Sequence, residues 1–283
     1  MTAQPHSAPS STSPSPVSPA SPSSAFPAFA AVVETLRAAG CVFAEDEADL
    51  LLAAARSDAE LARMVARRVA GQPLEHVVGW AEFCGLRIAV DPGVFVPRRR
   101  TEFLARQALG LVRTGFRTVD LCCGSGALGA VLAAAVELEL HAADIDPAAT
   151  ACAARNLAGR GTVWTGDLFD PLPTGLRGEV ELLIANVPYV PTDRLAVLPA
   201  EARDHEARAA LDGGPDGLGV LRRMAAEAPS WLAPGGALLF ETSERQLPAA
   251  LSVVRSAGLA ARVVADEELD ATVVIATRDL PRP

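Results

Sequence analysis

Val119-Asp120-Leu121-Cys122-Cys123-Gly124-Ser125-Gly126-Ala127-Leu128-Gly129 is the stretch on which the fold turns. An apolar strand-like run enters a tight glycine turn, and an alanine-rich helical pattern leaves it. Gly124 and Gly126 let backbone approach a ligand where a Cβ would clash. Gly124-x-Gly126-x-x-Gly129 also fits the dinucleotide template G-x-G-x-x-G. The turn therefore predicts a ligand crevice at the carboxyl end of a strand, with a merely structural turn as the alternative.

Outward from this turn, strands and helices alternate. Strands are expected over 117–121, 138–144, 162–165, 180–185, 236–242, 261–265 and 272–277, and helices over 101–112, 127–137, 147–158, 216–231 and 245–257. Such alternation implies an α/β fold, a mainly parallel sheet covered on both faces. Residues 74–100 change period: Val77, Val78, Phe83, Leu86, Ile88 and Val90, broken by Gly79, Gly85 and Asp91-Pro92-Gly93, predict short strands in a β-hairpin connector. Residues 28–73 predict a small helical domain. Phe29, Val32, Val33 and Leu36 recur at helical spacing up to Gly40, and a second helix follows from about Asp46 to Arg56. Ser57 and Glu60 form a capping box for a third, with Leu61, Val65 and Val69 on one stripe. Residues 1–27 are Pro/Ser-rich, cannot bury a core and are expected to be a disordered tail; they lack the basic start and apolar run of a secretory signal. Residues 101–283 form the expected catalytic domain.

Composition excludes several chemistries. The chain has 283 residues, half of them apolar, and its 25 basic residues are all Arg. Without Lys there is no Schiff-base lysine and no phosphate loop ending in Gly-Lys-Ser/Thr. No run reaches the roughly 18–20 apolar residues of a membrane span. A net charge of −9 argues against a broad grip on nucleic acid. Arg98-Arg99-Arg100 is a local basic patch that reads equally well as a solvated loop. The five cysteines (41, 84, 122, 123 and 152) show no CxxC spacing, which predicts reduced thiols in a cytoplasmic protein and no metal site.

Asp144 closes the second strand of the alternating region about 20 residues beyond Gly124, where an acid accepts hydrogen bonds from both hydroxyls of an adenosine ribose. NAD and S-adenosylmethionine share that ribose. Asp120 discriminates between them: a carboxylate beside the turn repels a pyrophosphate and attracts the ammonium of a methionine moiety. Asp167 and Leu168, after the third strand, are placed to meet an adenine amino group and ring face. The methyl donor is therefore the favoured cofactor. Cys122, Cys123, Gly124, Ser125 and Gly126 are candidate cofactor contacts in the turn itself.

The fourth strand ends in Asn186-Val187-Pro188-Tyr189. The Asn186 amide oxygen and the Val187 carbonyl are two acceptors suited to one planar NH₂. Pro188 fixes its φ and stiffens the turn, and Tyr189, the single tyrosine of the chain, is suited to stack on a planar substrate. A conjugated nitrogen is a poor nucleophile, so holding it in line with a methyl group in a dry site supplies most of the catalysis. An Asx-turn capping a strand is the structural alternative.

In these motifs the chain resembles the protein-(glutamine-N5) methyltransferases that modify peptide chain release factors, a branch of the Rossmann-like S-adenosylmethionine-dependent methyltransferases. The resemblance spans about residues 71–280. It rests on Gly71-Gln72-Pro73, Phe83-Cys84-Gly85-Leu86, Val96-Pro97-Arg98, Thr101-Glu102, the Asp120–Gly126 turn, Asn186-x-Pro188-Tyr189, Gly213-Gly214-Pro215-Asp216-Gly217-Leu218 and Pro234-Gly235-Gly236 through Glu241. It implies that Asn186 and Tyr189 grip a glutamine of a protein substrate. It further implies that Gly124, Gly126, Asp144 and Asn186 contact S-adenosyl-L-methionine, and that the amino-terminal helices help dock the substrate. The chain departs from the family pattern as a divergent paralogue would. Val187 replaces the first proline of Asn-Pro-Pro-Tyr, Arg99 and Arg100 replace Pro and an acid, Cys122-Cys123 replaces Gly-Thr, and Ser243 stands where Gly often follows the glutamate.

The expected function is thus N5 methylation of a glutamine in a release factor, by a monomer with neither membrane attachment nor stable nucleic-acid binding. Methylation of a ribosomal protein, adenine-N6 methylation of nucleic acid and a non-catalytic cofactor-binding module are the rivals.

Overall fold

The computed structural model describes residues 25–280, the first three as backbone only. Most of the stretch expected to be a disordered tail lies outside these residues, and the first helix begins inside the expected boundary. Helices α1 (Ala25–Ala38), α2 (Ala44–Ala54) and α3 (Asp58–Val69) come first. Val32, Val33, Leu36, Ala48, Leu51 and Met64 form a core of their own between them. Ser57 caps α3 by accepting the Glu60 N–H at 3.2 Å, while the Glu60 carboxylate reaches back to the Arg56 N–H at 2.9 Å, one residue beyond the expected partner.

Leu74–Val78, expected as strand, is a short helix, α4. Its His76 is buried, with Nε2 2.8 Å from the Val94 carbonyl, and its left-handed Gly79 cap, φ +85°, turns the chain into the hairpin. That hairpin pairs β1 (Trp80–Phe83) with β2 (Leu86–Ala89).

The remaining elements follow in the order α5 (Thr101–Leu111), β3 (Arg117–Leu121), α6 (Ala127–Ala135), β4 (Glu139–Asp144), α7 (Pro147–Asn156), β5 (Thr162–Thr165), β6 (Val180–Ala185), α8 (Ala200–His205), α9 (Gly219–Trp231), β7 (Leu232–Thr242), α10 (Leu247–Ser256), β8 (Ala260–Asp266) and β9 (Ala271–Thr277). The sheet order is β5-β4-β3-β6-β7-β9-β8; the first five run parallel and β9 is antiparallel to both its neighbours. Strand alternation sends Val119, Leu121, Leu183 and Phe240 to one face, against Met224 and Trp231 of α9 and Val254 of α10. Leu182, Ile184 and Leu239 face the other way, against Leu104 of α5, Leu132 of α6 and Leu157 beyond α7. Fully burying each such side chain contributes about 1.5–3 kcal/mol. The chain runs outward from β3 to β5 and then crosses to β6, so the topological switch lies between β3 and β6. A ligand crevice belongs there.

Candidate active site

A cavity of about 820 Å³ opens at the switch point, above the carboxyl ends of β3, β4 and β6. The β3–α6 turn forms its floor. Gly124 has φ +53°, and a Cβ built there would meet nothing closer than the Phe95 Cβ at 4.0 Å, so this backbone faces open space. The Gly124 N–H donates to Asp144 Oδ2 at 2.9 Å, and Asp144 Oδ1 accepts the Asp146 N–H at 2.9 Å. Burial raises the Asp144 carboxyl above its ordinary value, against the pull of those two N–H groups. Cys122 also takes a left-handed φ, +53°, and burial beside Asp144 pushes its thiol well up.

Cys122, Cys123, Gly124, Ser125, Asp144, Asp167, Leu168, Asn186, Val187, Pro188 and Tyr189 all line the cavity, so the structure brings these expected site residues together. Asp120 and Gly126, also expected as cofactor contacts, do not line it. Strand alternation turns Asp120 beneath α6, where it is fully buried and its Oδ2 accepts the Gly129 N–H at 2.9 Å. Its Oδ1 has no partner among the described residues, and burial lifts the carboxyl to about 7. It anchors the glycine turn to α6 and does not reach the cavity wall. Gly126 faces α7, where a Cβ would lie 3.1 Å from that of Ala153, so it serves helix packing. Asp167 reaches the cavity with Oδ2 held by Arg223 of α9 at 2.5 Å.

Farther along the wall, the Asn186 Oδ1 is buried without a hydrogen-bond partner among the described residues. An orphaned amide oxygen of this kind is costly unless a ligand donor completes it. Beside it, the Tyr189 hydroxyl is bonded by Arg100 and lies 3.4 Å from Glu241 Oε1. Burial and the Glu241 charge push the phenol up to about 12 although Arg100 pulls it down. Glu241 is itself buried, paired with Arg100 Nε at 3.0 Å and accepting from Thr101 Oγ1 at 2.7 Å.

The arginine triplet is therefore not one solvated patch. Arg98 pairs with the buried Glu206 at 2.5 Å, Arg100 pairs with Glu241, and Arg99 alone is left outward without an ion pair among the described residues. Burial raises the Glu206 carboxyl in spite of Arg98 and the Val96 N–H that it accepts.

Three further parts complete this site, none of them foreseen from sequence. Asn156 ties the hairpin to the turn: it accepts the Ala89 N–H at 2.9 Å and donates to the carbonyls of Ala89 and Ser125 at 2.9 and 2.8 Å. Residues 190–212 wall the cavity with Val190, Leu198, Pro199, Ala202 and Leu211. Arg68 of α3 pairs with Glu47 of α2 at 2.6 Å and with Glu201 of that wall at 2.7 Å, linking the amino-terminal helices to it. Asn156 and Arg68 carry no local signal in sequence, because their partners are remote.

Residues 85–214 match the methyltransferase small domain family model. The chain is 37% identical over 199 residues to the release factor glutamine methyltransferase of Geobacter sulfurreducens, covering 69% of each chain. It is also 38% identical over 203 residues, 69% of each chain, to a 4-amino-L-phenylalanine/4-methylamino-L-phenylalanine methyltransferase of Streptomyces pristinaespiralis. Among solved structures, a methyltransferase of Pyrococcus furiosus shares the fold with a TM-score of 0.54 at 15% identity, over 77% of this chain and all of that one. At 37% identity to a release factor glutamine methyltransferase, over more than two thirds of both chains, the chain belongs to the release factor glutamine methyltransferase family.

Proposed function

We propose that the chain is an S-adenosylmethionine-dependent methyltransferase acting on the side-chain nitrogen of a glutamine in a translation protein, with a peptide chain release factor as the first candidate. The observation that carries this reading is the buried Asn186 Oδ1, without a partner among the described residues, in the cavity that Asp144 and Tyr189 also line. The donor set fits the cofactor: an acid at the β4 terminus for ribose hydroxyls, open glycine backbone at Gly124, and Leu168 with Asp167 at the adenine end. When bound, S-adenosylmethionine supplies an electrophilic methyl group.

The chain's own part is binding and orientation. Asn186 Oδ1 and the Val187 carbonyl accept the two N–H bonds of the amide and turn its nitrogen toward the cofactor end. Pro188 and Tyr189 limit the amide plane to one attitude. As the new N–C bond forms and the sulfonium S–CH₃ bond breaks with its electron pair left on sulfur, the amide N–H bonds become more acidic; the two acceptors stabilise them, and one proton passes to solvent. Water exclusion by the 190–212 wall strengthens each of these contacts. Asp120 and Gly126 shape the turn from below. Residues 28–73 dock the protein substrate, residues 74–100 join them to the catalytic part 101–283, and the enzyme works as a cytoplasmic monomer.

The apolar wall of Val190, Leu198, Pro199 and Leu211 favours a second substrate class for the same planar NH₂, an aromatic amine on a free amino acid. Calorimetric titration with S-adenosylmethionine, followed by labelled methyl transfer to release factors, ribosomal proteins, RNA and 4-amino-L-phenylalanine, separates the readings. Label on a release factor is expected. Label on RNA or on the free amino acid alone contradicts it, and binding without transfer favours the non-catalytic module.

A further inference from the structure

The Asn186–Tyr189 loop has one rigid joint of its own. Pro188 fixes its φ; Val187 has no such restraint, and its N–H makes no turn or loop hydrogen bond among the described residues. Rigidity has to come from outside, and Gln246 at the start of α10 is placed to supply it. Its Nε2 donates to the Tyr189 carbonyl at 2.9 Å and to the Asp216 carbonyl at 3.1 Å, which uses both amide hydrogens. Its Oε1 accepts from Ser243 Oγ at 2.8 Å, and the same Oγ accepts the Gln246 backbone N–H at 3.3 Å. Ser243 thereby fixes which end of the Gln246 amide faces the loop.

The packing leaves no slack around this clamp. A Cβ at Gly217 would lie 2.2 Å from the Tyr189 carbonyl oxygen and 2.3 Å from Gln246 Nε2, and one at Gly213 would lie 2.7 Å from the Pro188 carbonyl oxygen. The glycine loop 213–217 is therefore pressed against the back of the acceptor loop, and Gln246 bonds to both. Neither Ser243 nor Gln246 lines the cavity.

We propose that Ser243 and Gln246 are positioning residues for methyl transfer: by holding the Tyr189 carbonyl they keep Asn186, Val187 and Tyr189 aimed into the cavity without touching substrate or cofactor. The inference rests on the reading of that loop as the acceptor site. Its structural half is tested on the chain alone. Tyr189 is the single tyrosine of the sequence, so ring-labelled tyrosine gives one NMR signal that reports this loop and nothing else.

Ser243→Ala and Gln246→Glu are compared with the conservative Ser243→Thr, which keeps the hydroxyl. Ser243→Ala and Gln246→Glu should shift or broaden the Tyr189 signal and lower kcat for release-factor methylation by about tenfold or more, the scale of a misplaced reacting group. S-adenosylmethionine affinity should stay within about twofold, the mark of a folded cofactor end, because the clamp lies outside the cavity. Ser243→Thr should restore the signal and the rate. An unmoved Tyr189 signal in Ser243→Ala and Gln246→Glu overturns the proposal, as does a moved signal with unchanged kcat. If the wild-type chain methylates no release factor, the functional reading falls, and the Tyr189 signal still decides whether the clamp holds the loop.

Discussion

Arg100, on the cavity wall, pairs with the buried Glu241 behind it, Nε to Oε1 at 3.0 Å, and Tyr189 stands against both. Glu241 is 3% exposed, whereas the Arg100 side chain is 44% exposed. Removing the guanidinium strands a carboxylate in the interior, which costs about 3–5 kcal/mol when both partners are buried. Solvent on the Arg100 side brings the expected loss for Arg100→Ala down to about 1–2 kcal/mol. Adding Glu241→Gln to that variant should recover most of the loss in urea denaturation. Additive destabilisation would show that the pair is not coupled.

Asp120 makes stability depend on pH. Its proton leaves the unfolded chain near 3.8 and the folded chain at about 7, because burial disfavours the charged form. Between those values the folded state holds the extra proton. Stability contributed by this group therefore falls as pH rises through that window, by up to about 1.4 kcal/mol per unit, and levels off above it. Asp120→Asn keeps an acceptor for the Gly129 N–H and should flatten the slope. Denaturation midpoints at several pH values between 4 and 8 check this; an unchanged slope would assign it to other groups.

Asn156 holds the β1–β2 hairpin to the β3–α6 turn through three hydrogen bonds. At about 1 kcal/mol each, Asn156→Ala should cost about 2–3 kcal/mol of stability. It should also weaken S-adenosylmethionine binding several-fold, since the Ser125 carbonyl loses its tether. Calorimetry on the folded variant measures the second effect, and wild-type affinity would contradict the assigned link between hairpin and turn.

Two glycines with similar backbone should respond in opposite ways. Gly124→Ala places a methyl in open space at φ +53°, costing about 1–2 kcal/mol of strain. Its methyl occupies the cavity, so cofactor affinity should fall by at least about tenfold. Gly217→Ala drives a methyl to 2.2 Å from the Tyr189 carbonyl oxygen and should cost about 3 kcal/mol or more. Thermal unfolding and cofactor titration of both variants give the comparison. Equal stability losses would mean that the loop behind Tyr189 yields.

The sheet was legible because its signals are local. Apolar runs, glycine turns and caps place β3 through β6 within a residue of their expected bounds, and the same spacing assembles Asp144, Asn186 and Tyr189 around one crevice. Contacts made at a distance were not legible. Leu74–Val78 has the β-branched look of a strand, and its helix is secured by His76 meeting Val94. Arg98, Arg99 and Arg100 are equivalent in sequence, yet Glu206 and Glu241, more than 100 residues away, take Arg98 and Arg100 and leave Arg99 outward. Asp120 shows a subtler limit. Its place beside the glycines is plain, but which side of the strand it faces decides between cavity and helix, and the packing of Gly129 settles that.

Glutamine methylation is read directly by mass spectrometry of a bacterial release factor incubated with this enzyme and methyl-labelled S-adenosylmethionine, alongside Asn186→Ala. A single methyl group on a glutamine side-chain nitrogen is expected with the wild-type chain and none with the variant, while the variant still binds cofactor. Methylation elsewhere than on glutamine, or an Asn186→Ala enzyme as active as wild type, would contradict the proposed function.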